Sequence, residues 1–136
     1  MRLLLDTHIF LWLNSDSEQL PPPVFDACAN TSNQLFLSLV STWEIQIKQQ
    51  LGKLHLGNKL SDLVETQIEQ NGLNILPVTL EHIYALNDLP HIHKDPFDRL
   101  LISQAEIESM VLVTVDKKIV QYNIETLGDY GVGGQA

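Results

Sequence analysis

Short apolar runs alternate along the chain with longer stretches whose apolar residues recur every three or four positions, the pattern of strands interleaved with helices. Arg2–Leu5 is the first such run, and its apolar character up to Asp6 predicts a strand buried on both faces. Thr7–Leu13 (THIFLWL) is apolar on nearly every side, so the helix it predicts is either deeply buried or offered to a partner. Pro21–Pro23 open a helix reaching about Asn30, because prolines fit only a first turn. Leu35–Ser38 reads as a second strand. The S-x-x-E spacing of Ser41–Glu44 is a capping-box signature, which puts Glu44 in the first turn of a helix running to about Leu51. Gly52 stops it. Helical spacing returns over Lys59–Gln70, a third strand over Asn74–Leu76 and a further helix over Thr79–Asn87.

Lys94–Ala105 carries the sharpest signal. Asp95 suits an N-cap, Pro96 the first helical position and Asp98 the third, inside the positive end of the dipole of a helix running to about Ser109. Met110–Val115 is the strongest strand, with Asp116 directly after it. Asp116–Tyr122 predicts a short helix and Ile124–Thr126 a last strand. The glycine-rich end after Asp129 reads as a loose tail, so the expected domain is residues 1–128 with a tail over 129–136.

Alternating strands and helices build parallel βαβ units, an α/β fold with helices on both faces of a mainly parallel sheet of about five short strands. Right-handed crossovers then bring every strand end and every following helix start to one edge of that sheet, where ligands bind in open α/β folds. Asp6 and Asp116 end strands, while Glu44 and Asp98 begin helices. Acids far apart in sequence are thereby expected at one edge.

Each acid taken singly is explained as a cap or as a dipole-compensating charge. Gathered together they are not, since like charges repel unless a cation or a shared proton relieves them. Oxygen ligands without cysteine or clustered histidine favour Mg²⁺ or Mn²⁺ over zinc, and such ions activate water and hold a phosphodiester in line. Asp6, Glu44, Asp98 and Asp116 are therefore the candidate catalytic and metal-binding residues. Thr114 is placed to bring a supporting hydroxyl to the same edge, although a plain strand threonine explains it as well. Asp95 is read first as the cap. His8, His91 and His93 are read as loop or packing residues, with no third zinc-type ligand near them.

Charge complicates the nucleic-acid reading. The 136 residues fit one ordinary domain, 44% hydrophobic, but carry 8 basic against 17 acidic residues, a formal net charge of −9. That balance speaks against general nucleic-acid binding, which favours basic surfaces. The placement of the cations speaks the other way. Lys48, Lys94, Arg99, Lys117 and Lys118 lie within a few residues of candidate acids, and the first three are the candidates for phosphate contacts. Cys28 is the only cysteine, which excludes an internal disulfide and suits a reducing cytoplasm. The apolar N-terminal run is broken by Asp6 and His8 and is too short for a membrane span. There is no P-loop, His8 stands where a D-x-D phosphotransferase needs an acid, and no helix follows Gly131–Gly134 to make a dinucleotide turn.

The series Leu3–His8, Ser41–Ile45, Gly52–Leu54, His93–Leu101 and Val113–Asp116 resembles, in order and over nearly the whole chain, the PIN-domain proteins. Among these it is most similar to the VapC-type toxins of bacterial toxin–antitoxin pairs. The resemblance implies a three-layer α/β/α fold, a metal-dependent ribonuclease acting on RNA, and a small antitoxin partner, in a homodimer or a hetero-oligomer. It assigns Asp6, Glu44, Asp98 and Asp116 to the acidic site, and Thr114 to the hydroxyl position beside the last acid. Many relatives read T-A-D where this chain has Thr114–Val115–Asp116. Two further readings stay open: a protein-interaction module using Ile9–Leu13 and the Trp43 helix, and cleavage of single-stranded DNA by the same site.

Overall fold

The computed structural model describes residues 1–134. Its strands are β1 (Arg2–Leu5), β2 (Gln34–Ser38), β3 (Asn74–Leu76), β4 (Val111–Val113), β5 (Glu125–Gly128) and β6 (Gly131–Gly134). They form one sheet in the order β3-β2-β1-β4-β5-β6, parallel through β5, with β6 antiparallel to β5. The helices are α1 (Thr7–Ser15), α2 (Pro22–Ala29), α3 (Leu39–Gln50), α4 (Leu60–Asn71), α5 (Leu80–Tyr84) and α6 (Pro96–Glu108).

The period of two in β1 divides the core. Leu3 and Leu5 join Ile9 and Phe10 of α1 and Val24 of α2 in one apolar cluster, while Leu4 joins Leu101 and Ile102 of α6 in the other. Layers of helix on both faces of the sheet follow directly. Ile9 and Phe10 are fully buried, which takes these two out of the expected Ile9–Leu13 contact surface, while Leu11, Trp12 and Leu13 are half-buried. Trp43 does stay exposed, with its ring edge-on to Phe97.

Topology positions the site. The chain moves outward from β1 to β2 and β3, then returns to lay β4 on the opposite side of β1. Successive crossovers part at that reversal and leave a crevice at the carboxyl ends of β1 and β4. Leu5 registers with Val113, and the Asp6 N–H donates to the Val113 carbonyl at 2.9 Å, so Asp6 and Thr114 leave the sheet side by side.

Three local expectations change. Ser38 ends β2 and caps α3 itself, its hydroxyl accepting from the Val40 N–H at 3.0 Å. With no loop between strand and helix, α3 begins before Ser41, and Glu44 falls in the second turn instead of closing a capping box. The short helix expected over Asp116–Tyr122 reduces to a 3₁₀ turn at Ile119–Gln121. Residues 131–134, expected in a loose tail, form β6 through a two-residue hairpin at Asp129–Tyr130. Glycine there serves close packing: a Cβ on Gly128 would collide with the Thr114 carbonyl. Residues 135–136 of the expected tail lie outside the described residues. Among the described residues no helix is long and apolar enough to cross a membrane.

Candidate active site

Asp6 is the N-cap of α1, where one carboxylate oxygen accepts from the Thr7 N–H at 2.8 Å. The other oxygen accepts from the Thr114 hydroxyl at 2.7 Å, and that hydroxyl in turn accepts from the Asp116 N–H at 3.0 Å. Thr114 thus ties the ends of β1 and β4 together through one side chain. Burial pushes the Asp6 carboxyl up, against the pull of the Thr114 and Thr7 hydrogen bonds and of nearby His8.

Asp98 is set by the start of α6. Asp95 caps the helix, accepting from the N–H groups of Phe97 at 2.8 Å and Asp98 at 3.2 Å. Asp98 is pushed up to about 7 by burial and by repulsion from Asp6 and Asp95, with His93 opposing. Asp116 sits just beyond β4 and accepts from the N–H groups of Lys118 at 2.8 Å and Ile119 at 3.3 Å. Partial burial pushes it up, but the hydrogen bonds from His93 and from these amides outweigh burial and hold it below the usual carboxylate range.

Glu44 is buried on α3. Its Oε1 accepts from the Thr7 hydroxyl at 2.8 Å and its Oε2 pairs with Lys48 Nζ at 2.6 Å. That pairing, and the more distant acids Asp95 and Asp98, hold the Lys48 ammonium above its ordinary value. One cavity of about 330 Å³ is walled by Asp6, Glu44, Lys48, Asp98 and Asp116, with His8 and Trp12 on its α1 side.

The sequence reading missed His93. Its Nε2 lies 3.1 Å from Asp98 and 2.9 Å from Asp116, so it belongs to the site and is not a packing residue of the loop. The Asp95 N–H donates to its Nδ1 at 3.1 Å, which leaves the ring proton on Nε2, facing both carboxylates. A histidine two residues before an aspartate N-cap was the available signal. Arg99 donates to the carbonyls of Leu89, Pro90 and His93, which ties it to that loop. Lys94 is exposed on the same loop, and Lys48 is the one phosphate candidate that lines the cavity.

The residues present suit a divalent cation. His93 Nε2 and one oxygen each of Asp98 and Asp116 lie within 4.8 Å of one another. The two carboxylates converge on a point now filled by an N–H donor, the stand-in for a positive charge. The surrounding ligands are hard oxygens. Since Nε2 carries the proton, His93 fits as a partner to the two acids and not as a ligand in this tautomer.

Fold and site together define a three-layer α/β protein with an acidic crevice at its switch point. A PIN-domain family profile matches residues 3–125, and the chain belongs to the PIN-domain family. No curated protein matches it significantly by sequence. Among solved structures, it is similar to VapBC2 from Rickettsia felis bound to a promoter DNA fragment, with TM-score 0.65 and 18% identity over 93% of this chain and 98% of that one. VapBC-1 from nontypeable Haemophilus influenzae gives 0.58 and 20%, covering 89% and 91%. FitAcB from Neisseria gonorrhoeae gives 0.62 and 16%, covering 94% and 98%.

Proposed function

We propose that this protein is a Mg²⁺- or Mn²⁺-dependent endoribonuclease and the toxin of a toxin–antitoxin pair, acting in the cytoplasm. The observation that carries the reading is that oxygens of Asp98 and Asp116 lie within 4.8 Å of each other, in a cavity also walled by Asp6 and Glu44. Asp98 and Asp116 would hold the metal, with Asp6 behind them. When bound, the metal supplies a water of lowered pKa and a counter-charge for the phosphate. Thr114 holds Asp6 in register with Asp116. Glu44, fixed by Thr7 and Lys48, is positioned to accept a proton from an attacking water. Lys48 presents the ammonium that meets a nonbridging phosphate oxygen. A divalent ion also explains how a chain of net charge −9 engages RNA at this site.

The test is cleavage of single-stranded RNA beside single-stranded DNA of the same sequence, with Mn²⁺ and with a chelator. Cleavage requires the metal, and Asp6→Asn and Asp98→Asn each lower the rate by ~10²-fold or more. Variants that cut like wild type would remove these acids from the mechanism, and equal cutting of DNA would widen the substrate. The toxin role is supported by similarity to complexes described as VapBC and FitAcB. Exposed Trp43, Leu80 and Tyr84 offer apolar ground for an antitoxin or a second copy. Co-purification with the product of a short adjacent reading frame tests the partner.

A further inference from the structure

Residues 45–61 contain Lys48, Lys53 and Lys59, together with His55 and no acid, in a chain whose formal net charge is −9. The structure shows how this stretch is held. Gly52 and Gly57 take positive φ values of 71° and 77° and bend the connection between α3 and α4. Between them Leu54 and Leu56 pack against the β1 core, so the alternate residues Lys53 and His55 face solvent. The bends and the two leucine anchors make this a fixed display of charge, unlike a freely moving lysine loop.

The strip starts from a residue of the acid cavity. Lys48 lines that cavity, and the Lys53 N–H donates to the Lys48 carbonyl at 2.9 Å. Beyond it, His55, Asn58 and Lys59 line a polar depression of about 730 Å³, which shares Gln49 and Lys59 with the groove between α3 and α4. Asp62 is the one acid that lines it. Among the described residues neither Lys53 nor Lys59 makes an ion pair. These are unspent cations beside a site that needs an anionic polymer.

We propose that the Lys53–Lys59 segment is a phosphate-binding strip that carries the RNA backbone out of the acid cavity, from Lys48 across Lys53 to Lys59. The proposal deepens the ribonuclease reading and rests on it for the identity of the polymer. Single-stranded RNA loses ~0.7 in the salt slope of log K per phosphate contact. Removing two contacts therefore flattens the slope by ~1.4 and weakens binding by about tenfold at low salt.

The experiment follows fluorescence anisotropy of a labelled single-stranded oligoribonucleotide across a salt series, in an Asp98→Asn background that leaves the probe uncut. The double substitution Lys53→Gln/Lys59→Gln shows both losses, and Lys53→Arg/Lys59→Arg restores them. Thr31→Glu/Ser32→Glu makes the same change in net charge at exposed positions before β2, on the opposite edge of the sheet, and changes neither. If the glutamine pair binds like the background, or the distant glutamates weaken binding equally, the strip is overturned. Wild-type cleavage is assayed alongside. Cleavage with an unchanged glutamine pair removes the strip alone, binding without cleavage removes the nuclease reading alone, and neither binding nor cleavage removes both.

Discussion

Asp98 is the residue on which burial and charge act most directly. Its carboxyl is pushed up to about 7 in the folded chain, against an ordinary value of 3.8. The folded state therefore holds a proton that the unfolded state releases, and this contribution to stability is present at low pH and is lost as pH rises through about 7. Without metal, the Tm falls between pH ~5 and pH ~8, and Asp98→Asn, which mimics the neutral acid, flattens that fall in thermal melts. His93 makes a second prediction at this scale. Its N–H occupies the point where Asp98 and Asp116 converge, so His93→Ala removes a competitor for the cation. Mn²⁺ then binds about tenfold tighter in a calorimetric titration, from one charge-assisted hydrogen bond that no longer has to be broken. Weaker binding would instead make His93 a ligand. The acids were legible from the sequence because strand ends and helix starts are local features. His93 was not, because its role is defined by Asp116, which lies beyond the whole of α6.

Among the elements, α6 shows how a cap becomes a positioning device. Asp95 satisfies the N–H groups of Phe97 and Asp98, and its own N–H fixes the His93 ring. Asp95→Ala destabilises the protein by ~1 kcal/mol in urea denaturation, the usual loss for a helix N-cap. It lowers cleavage further than that loss of stability accounts for, since the first turn that sets Asp98 is loosened, while the backbone N–H that holds His93 is kept. The cap was readable because Asp95–Pro96 is a local rule. The start of α3 was misread because Ser38 read only as the end of a strand and the S-x-x-E spacing pointed to Ser41, whereas Ser38 both pairs with Leu76 of β3 and caps the helix at once. β6 was missed because its glycines carry no strand propensity. Its antiparallel pairing with β5 supplies what propensity does not.

At the scale of the whole molecule, the reversal of strand order between β1 and β4 gathers carboxylates that a metal-free protein must hold against their own repulsion. A bound ion relieves that repulsion, so Mn²⁺ at ~100-fold above its Kd stabilises the fold by ~2.7 kcal/mol. The gain grows as pH rises through about 7, because Asp98 must release its proton to bind, and it is lost in Asp98→Asn. Differential scanning calorimetry with and without Mn²⁺ at two pH values reads both effects. The alternation of strands and helices, the edge at which the acids arrive and the start of α6 were determined by the sequence itself, since each follows from nearest-neighbour patterning and the handedness of crossovers. The tertiary structure alone decided the proton-bearing His93 between two acids, the commitment of Arg99 to loop carbonyls, and the fixed outward display of Lys53 and His55. Asp116 is distant from His93 in the chain, the β1 core is distant from Leu54 and Leu56, and the loop carbonyls reach Arg99 only through the fold of the loop, so each side chain's chemistry depends on which groups the packing places beside it.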